Sequence, residues 1–184
     1  MNMMGYADIW FFDDSSWSRT NLEGVLIIFV ASVGWMRGAY CLLLMLDCDA
    51  RITVGKLGRF EFKKGVYAYV GSAQGGVESR VKRHLKKRKK LHWHIDHLLQ
   101  KAEVLCVLST PASSKDVECR MASSLMKCEG ARSLVRGFGS SDCECVSHLI
   151  YLGDGDVEWI AESVSLQLSM LDGAYQRSTD DARQ

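Results

Sequence analysis

GVYAYVGSAQGG, residues Gly65–Gly76, is the stretch on which the fold turns. Its first half alternates: Tyr67 and Tyr69 share one face of an extended chain, and Val66, Ala68 and Val70 share the other. Small residues follow the last valine and end the strand. Beyond them Val77, Val81, His84 and Leu85 recur at helical spacing, with Arg80, Arg83 and Lys87 on a separate cationic stripe. Between Arg80 and Lys90 stand eight cations (Arg80, Lys82, Arg83, Lys86, Lys87, Arg88, Lys89 and Lys90) with no acid among them. A row of like charges this dense repels itself unless a polyanion or salt offsets it, so it predicts contact with a nucleic-acid backbone.

Working outward, GAYCLLLML at Gly38–Leu46 is apolar at both alternating positions, which predicts a strand covered on both faces. RITVG and GRFEF predict two shorter strands around a glycine-bounded turn. Downstream, Ile95, Leu98, Leu99 and Ala102 mark a short helix, and EVLCVLST a strand. Ser113 reads as an N-cap for a helix through Val117, Met121 and Leu125. The loop GFGSSDCEC leads into a last strand, SHLIYL. Val157, Ile160, Ala161, Val164, Leu168 and Leu171 predict an amphipathic helix. The expected organisation is an extension over 1–35, a body over 36–152, the amphipathic helix over 153–172 and a disordered tail over 173–184. Met36 stands immediately before the first clean strand, so a start there, with 1–35 a misassigned extension, is one reading; a packing or membrane-associated segment is the other.

The 184 residues carry a net charge of only +1, because an acidic C-terminal stretch offsets the basic centre. Seven cysteines are an odd number with no C-x-x-C pair, which fits reduced thiols and a cytoplasmic location. The apolar run over 24–36 is short for a bilayer, and no stable membrane insertion is expected.

The order of these features resembles the GIY-YIG nuclease superfamily. GAY at Gly38–Tyr40, YVG at Tyr69–Gly71, SRVKRH at Ser79–His84 and Glu118 in DVECRMASSL match its elements. The longer pattern, with HWHIDHLL and FGSSDCECVSHL, resembles a branch found alone or fused to an endonuclease III-type glycosylase. The resemblance implies an α/β (α+β) fold: a small mixed, mainly antiparallel sheet flanked by helices, here with an extra C-terminal helix. It implies a Mg²⁺- or Mn²⁺-dependent endonuclease acting on nucleic acid, DNA first, through one ion. Tyr40, Tyr69 and Arg80 would be catalytic and Glu118 the metal ligand. Gly71 would turn the chain after its strand, and the amides of Gly75 and Gly76 would meet a phosphate. Arg83, His84, Lys86, Lys87 and Lys90 would hold the backbone. Trp93, His94, Asp96, Ser140, Ser141, Asp142 and His148 would brace or line the cleft. If the DNA reading holds, the location is the nucleoid. The chain's only asparagines are Asn2 and Asn21, so the late asparagine of many such nucleases is absent. A catalytically silent nucleic-acid-binding or protein-interaction module of the same fold is therefore the alternative.

Two further points come from the residues alone. Glu118 lies at the edge of an apolar stripe with Met121, Ala122 and Leu125, where a carboxylate needs a partner, either a metal or an arginine. Cys143, Cys145 and His148 stand within reach of one ion, but structural zinc takes four ligands and the local sequence offers no fourth, so zinc is not expected.

Overall fold

The computed structural model describes residues 18–22, 25–29, 37–111 and 116–181, with side chains over 37–110 and 116–171. The predicted N-cap at Ser113 lies outside the described residues.

Two long strands form the centre: β3 (Gly38–Leu46) and β6 (Gly65–Ala73) pair antiparallel along their whole length, from Gly38↔Ala73 to Leu46↔Gly65. β7 (Glu103–Pro111) pairs antiparallel with the other edge of β3, and β8 (Leu149–Gly153) with the free edge of β6. Within the segment predicted as an extension, β1 (Ser18–Leu22) and β2 (Val25–Phe29) form an antiparallel hairpin, and β2 runs parallel to β7. The sheet order is β1-β2-β7-β3-β6-β8, so the predicted mixed, mainly antiparallel sheet is present. β4 (Ala50–Val54) and β5 (Gly58–Phe62) make a separate two-stranded hairpin.

The alternation in β3 and β6 decides the layers. Tyr40, Leu42, Leu44, Tyr67 and Tyr69 face one core with Phe62, Val77, Val81, Ile95, Leu98 and Phe138. That core is covered by α1 (Val77–Leu85), α2 (His94–Leu98) and the β4–β5 hairpin. Ala39, Cys41, Leu43, Val66, Ala68 and Val70 face the other, under α3 (Asp116–Leu125) and α4 (Val157–Asp181). Burial on both faces is why neither strand shows polar alternation; each fully buried Leu contributes about 1.5–3 kcal/mol.

Three local outcomes differ from the sequence expectations. α1 stops at Leu85, and Lys86 is already extended, so the lysines up to Lys90 stand on a loop rather than on a helix. The backbone of α4 stays helical to Asp181, through most of the stretch expected to be disordered. Gly71 is a mid-strand residue of β6, not a turn.

Candidate functional site

The register of β3 and β6 pairs Tyr40 with Gly71 and Leu42 with Tyr69, so the two tyrosines are diagonal neighbours on one face. Gly71 makes this possible by its missing side chain. A Cβ there would lie 2.6 Å from the Tyr40 hydroxyl oxygen and 2.7 Å from Cζ. The Tyr40 phenol thus packs across the β6 backbone, 2% exposed, and its hydroxyl bonds His84 Nε2 at 2.7 Å. The Tyr69 ring meets the edges of His84 and Phe138 at centroid separations of 6.4 and 6.1 Å.

Behind the tyrosines lies a polar anchor. Asp96 is fully buried, and its carboxylate accepts two bonds from Arg83, at 3.0 and 2.9 Å, and two from the amides of His92 and Trp93, at 2.9 and 3.0 Å. Burial works to raise its carboxyl; His84, Arg83 and the two amides outweigh it and hold the group well below the ordinary carboxylate range. His84 Nδ1 lies 3.8 Å from Asp96, inside its field but beyond hydrogen-bond length, and has no hydrogen-bond partner among the described residues. Burial lowers the His84 pKa, so the ring is neutral at neutral pH. The bonded pairs Tyr40–His84 and Asp96–Arg83 thus stand side by side, 3.8 Å apart, between the buried phenol and the surface.

Both tyrosine hydroxyls titrate above their ordinary value. For Tyr40 the causes are burial and then the Tyr69 neighbour, with Arg80 opposing and Glu118 adding; for Tyr69 they are burial and then Glu118, again with Arg80 opposing. Arg80 lies over Trp93, which packs on the His84 ring beside both tyrosines, and Glu118 lies against His148, whose Cβ meets Gly139 next to the Tyr69 ring, so these four residues border one corner of the molecule. The cation does not overcome burial, so both phenols stay protonated at neutral pH.

The cations divide into two groups. Arg80 and Arg83 each place a guanidinium 4.0 Å from the centre of the Trp93 ring, a stacked cation–π arrangement. Arg83 is further held by Asp96 and by the Lys90 carbonyl, and Lys89 bonds the His84 carbonyl, so both lock the loop after α1. Lys86, Lys87, Arg88 and Lys90 are exposed. Gly76 caps α1 with φ 103°, and a Cβ on Gly75 would meet nothing within 4 Å among the described residues.

On the far side of Tyr69 the 137–148 loop folds back along β6 through Val70 N–H to the His148 carbonyl and His148 N–H to the Phe138 carbonyl. His94 Nδ1 accepts the Gly139 amide at 3.1 Å and so ties α2 to this loop. Ser140 is buried with its hydroxyl unpartnered among the described residues, whereas Ser141 and Asp142 are exposed. Glu118 does have a partner, of a third kind: its Oε1 lies 2.9 Å from Nδ1 of His148, a ring 2% exposed. The other ring nitrogen faces sulfur. His148 Nε2 is 3.4 Å from Cys143 Sγ and 3.9 Å from Cys119 Sγ. The four donor atoms of Cys119, Cys143, Cys145 and His148 all lie within 4.8 Å of one another. This overturns the expectation that zinc is unlikely. A fourth donor exists; it sits on α3, 24 residues before Cys143, and only the packing of α3 against the loop brings it in.

Residues 39–168 match the family model described as Domain of unknown function DUF123. The chain belongs to the DUF123 family. Neither a curated protein nor a solved structure matches it. The DUF123 match contains the tyrosine corner, the lysine loop and the Cys₃His cluster. It also runs into α4 as far as the turns that bury Ile160, Val164 and Leu168 against the sheet.

Cys119 is the residue of the DUF123 domain that sequence reasoning passed over. Its sequence neighbours are helical and its thiol has no local partner. The only available signal was the unclaimed Cys-x-Cys-x-x-His triad downstream.

Proposed function

We propose that the domain binds the phosphate backbone of nucleic acid, DNA first, at the Tyr40–Tyr69–Arg80 corner and hydrolyses phosphodiester bonds there, selecting nucleic-acid structure rather than base sequence. The observation that carries this reading is the convergence of two tyrosines from adjacent strands, with Arg80 stacked on the Trp93 that packs on His84 beside them and Glu118 held at the loop beside Tyr69, next to an exposed lysine loop. The ordered resemblance to GIY-YIG nucleases supports the same reading. Arg80 can leave the Trp93 face to grip a phosphate through two N–H donors. The protonated tyrosines would orient the attacking water or a phosphate oxygen. Lys86, Lys87 and Lys90 would position the strand without reading bases. A divalent cation, when bound, neutralises charge on the phosphate. Glu118 is a carboxylate of suitable charge for it, and its second oxygen would serve, because the first holds His148.

A silent nucleic-acid-binding module is the second reading. The deep burial of Tyr40, already bonded to His84, favours it. The test is a panel of plasmid, flap and branched DNA, with matched RNA, incubated with the full chain with or without added Mg²⁺ or Mn²⁺. Cation-dependent nicking that disappears in Arg80→Ala and Tyr69→Phe supports hydrolysis. Salt-sensitive binding without nicking transfers the case to the silent module. Absence of salt-sensitive binding to either nucleic acid refutes both.

A further inference from the structure

We propose that Cys119, Cys143, Cys145 and His148 form a closed structural zinc site, with Glu118 as the positioning carboxylate of its histidine. The site would staple α3 to the 137–148 loop, which walls the tyrosine corner. The proposal stands whether or not the domain cleaves nucleic acid.

Ligand chemistry selects the metal. Three sulfurs and one imidazole are a Cys₃His set, which zinc takes in tetrahedral structural sites, and four protein ligands leave no open position for a substrate. With Zn–S of about 2.3 Å and Zn–N of about 2.0–2.1 Å, a tetrahedron has N···S edges of about 3.6 Å and S···S edges of about 3.8 Å. His148 Nε2 stands 3.4 and 3.9 Å from two of the sulfurs, on either side of that edge length. The widest separation in the set, under 4.8 Å, closes with shifts of about 1 Å, within reach of cysteine side chains.

The histidine is already set for the task. Glu118 Oε1 engages His148 Nδ1 at 2.9 Å, and the opposite ring nitrogen, Nε2, faces the thiols. A carboxylate behind a metal-bound imidazole is the usual outer-shell arrangement. Binding exchanges three thiol protons for one Zn²⁺, with no change of oxidation state. The protons go to solvent, and the site carries one net negative charge.

The staple has a consequence for the corner beside it. The same loop places Gly139, whose Cβ position lies 3.0 Å from the Tyr69 ring and 3.2 Å from His148 Cβ. Phe138 packs against Tyr69 from this loop as well. A metal that pins Cys143, Cys145 and His148 to Cys119 holds that wall in register with the tyrosines.

The experiment uses the full chain, purified in reducing, chelator-free buffer. Elemental analysis should find about one zinc per chain, retained in Cys48→Ser, whose thiol is exposed outside the cluster, and lost in Cys119→Ser. Because Cys119→Ser also changes a packed helix, wild-type apoprotein is titrated with Co²⁺. One equivalent should give the visible bands of a tetrahedral site and sulfur-to-cobalt charge transfer. Glu118→Gln should keep the cobalt spectrum but release zinc to a chelator about 10-fold faster or more. The site is refuted if wild-type protein takes up neither Zn²⁺ nor Co²⁺ at micromolar concentration, or if Cys119→Ser binds as much zinc as wild type. A disulfide among these cysteines in the reduced preparation also refutes it. An unchanged release rate in Glu118→Gln refutes the positioning role.

Discussion

Adding one methyl group at Gly71 should unseat Tyr40. In Gly71→Ala the new Cβ would stand 2.6 Å from the Tyr40 oxygen and 2.7 Å from Cζ, so the ring must move. It has nowhere to go cheaply, because it is 2% exposed and packed between β6, α1 and the core. Overpacking of this kind costs about 1–3 kcal/mol. Breaking the Tyr40–His84 hydrogen bond adds about 1 kcal/mol. The sum, about 2–4 kcal/mol, corresponds to a fall in Tm of roughly 5–15 °C for a domain of this size. Thermal and urea unfolding of Gly71→Ala measure it, with Gly75→Ala, which meets open space, as the control expected to match wild type. A double-mutant cycle sharpens the test. Tyr40→Phe should cost about 1–2 kcal/mol in wild type, where it leaves the buried His84 nitrogen without a donor. It should cost close to nothing once Gly71→Ala has already broken that bond. A Tm within about 2 °C of wild type for Gly71→Ala, or additive costs in the cycle, would refute the packing account of this glycine.

The other predictions concern charge and edges. Asp96→Asn should destabilise by about 3–5 kcal/mol, because the fully buried carboxylate that pairs with Arg83 and faces the largely buried Lys89 ammonium loses its charge. Since the folded Asp96 carboxyl lies below its unfolded value of about 3.9, its contribution is full above that pH and is lost as pH falls below it. The variant should therefore show a flatter stability profile in that acid range, read from urea midpoints against pH. Replacing Lys86, Lys87 and Lys90 with Gln should leave Tm unchanged and lower the slope of log K against log salt for DNA, by somewhat under one unit for each phosphate that is no longer neutralised. Arg83→Gln should instead lower Tm, and an unchanged slope in the triple variant would refute the role of these lysines in holding phosphate. A chain starting at Met36 removes β2 from its pairing with β7, Leu26↔Cys106 through Phe29↔Ser109, and leaves β7 as an edge. Lower Tm and faster aggregation are expected, and equal behaviour of the two chains would show that the hairpin contributes nothing.

Much of the fold was legible because its signals are local. Double-sided apolar runs announced β3 and β6, glycine-bounded alternation announced the β4–β5 hairpin, and 3.6-residue periodicity announced α1, α3 and the buried turns of α4. The resemblance carried by the whole ordered set, beyond the two tripeptides, singled out Tyr40, Tyr69, Arg80 and Glu118 as residues to look for in one corner. What the sequence could not determine depends on packing between distant segments. The end of α1 at Leu85 and the burial of Asp96 under Arg83 follow from how the loop after α1 docks. The space that Gly71 yields to Tyr40 exists only once two strands pair in register. The partner of Glu118 and the fourth member of the thiol cluster appear when α3 packs beside a loop that begins 12 residues after the helix ends. Periodicity records which face of a segment is buried, because burial acts on each residue through its own neighbours. A ligand set is a distance between side chains on separate elements, and only the packed tertiary structure determines it.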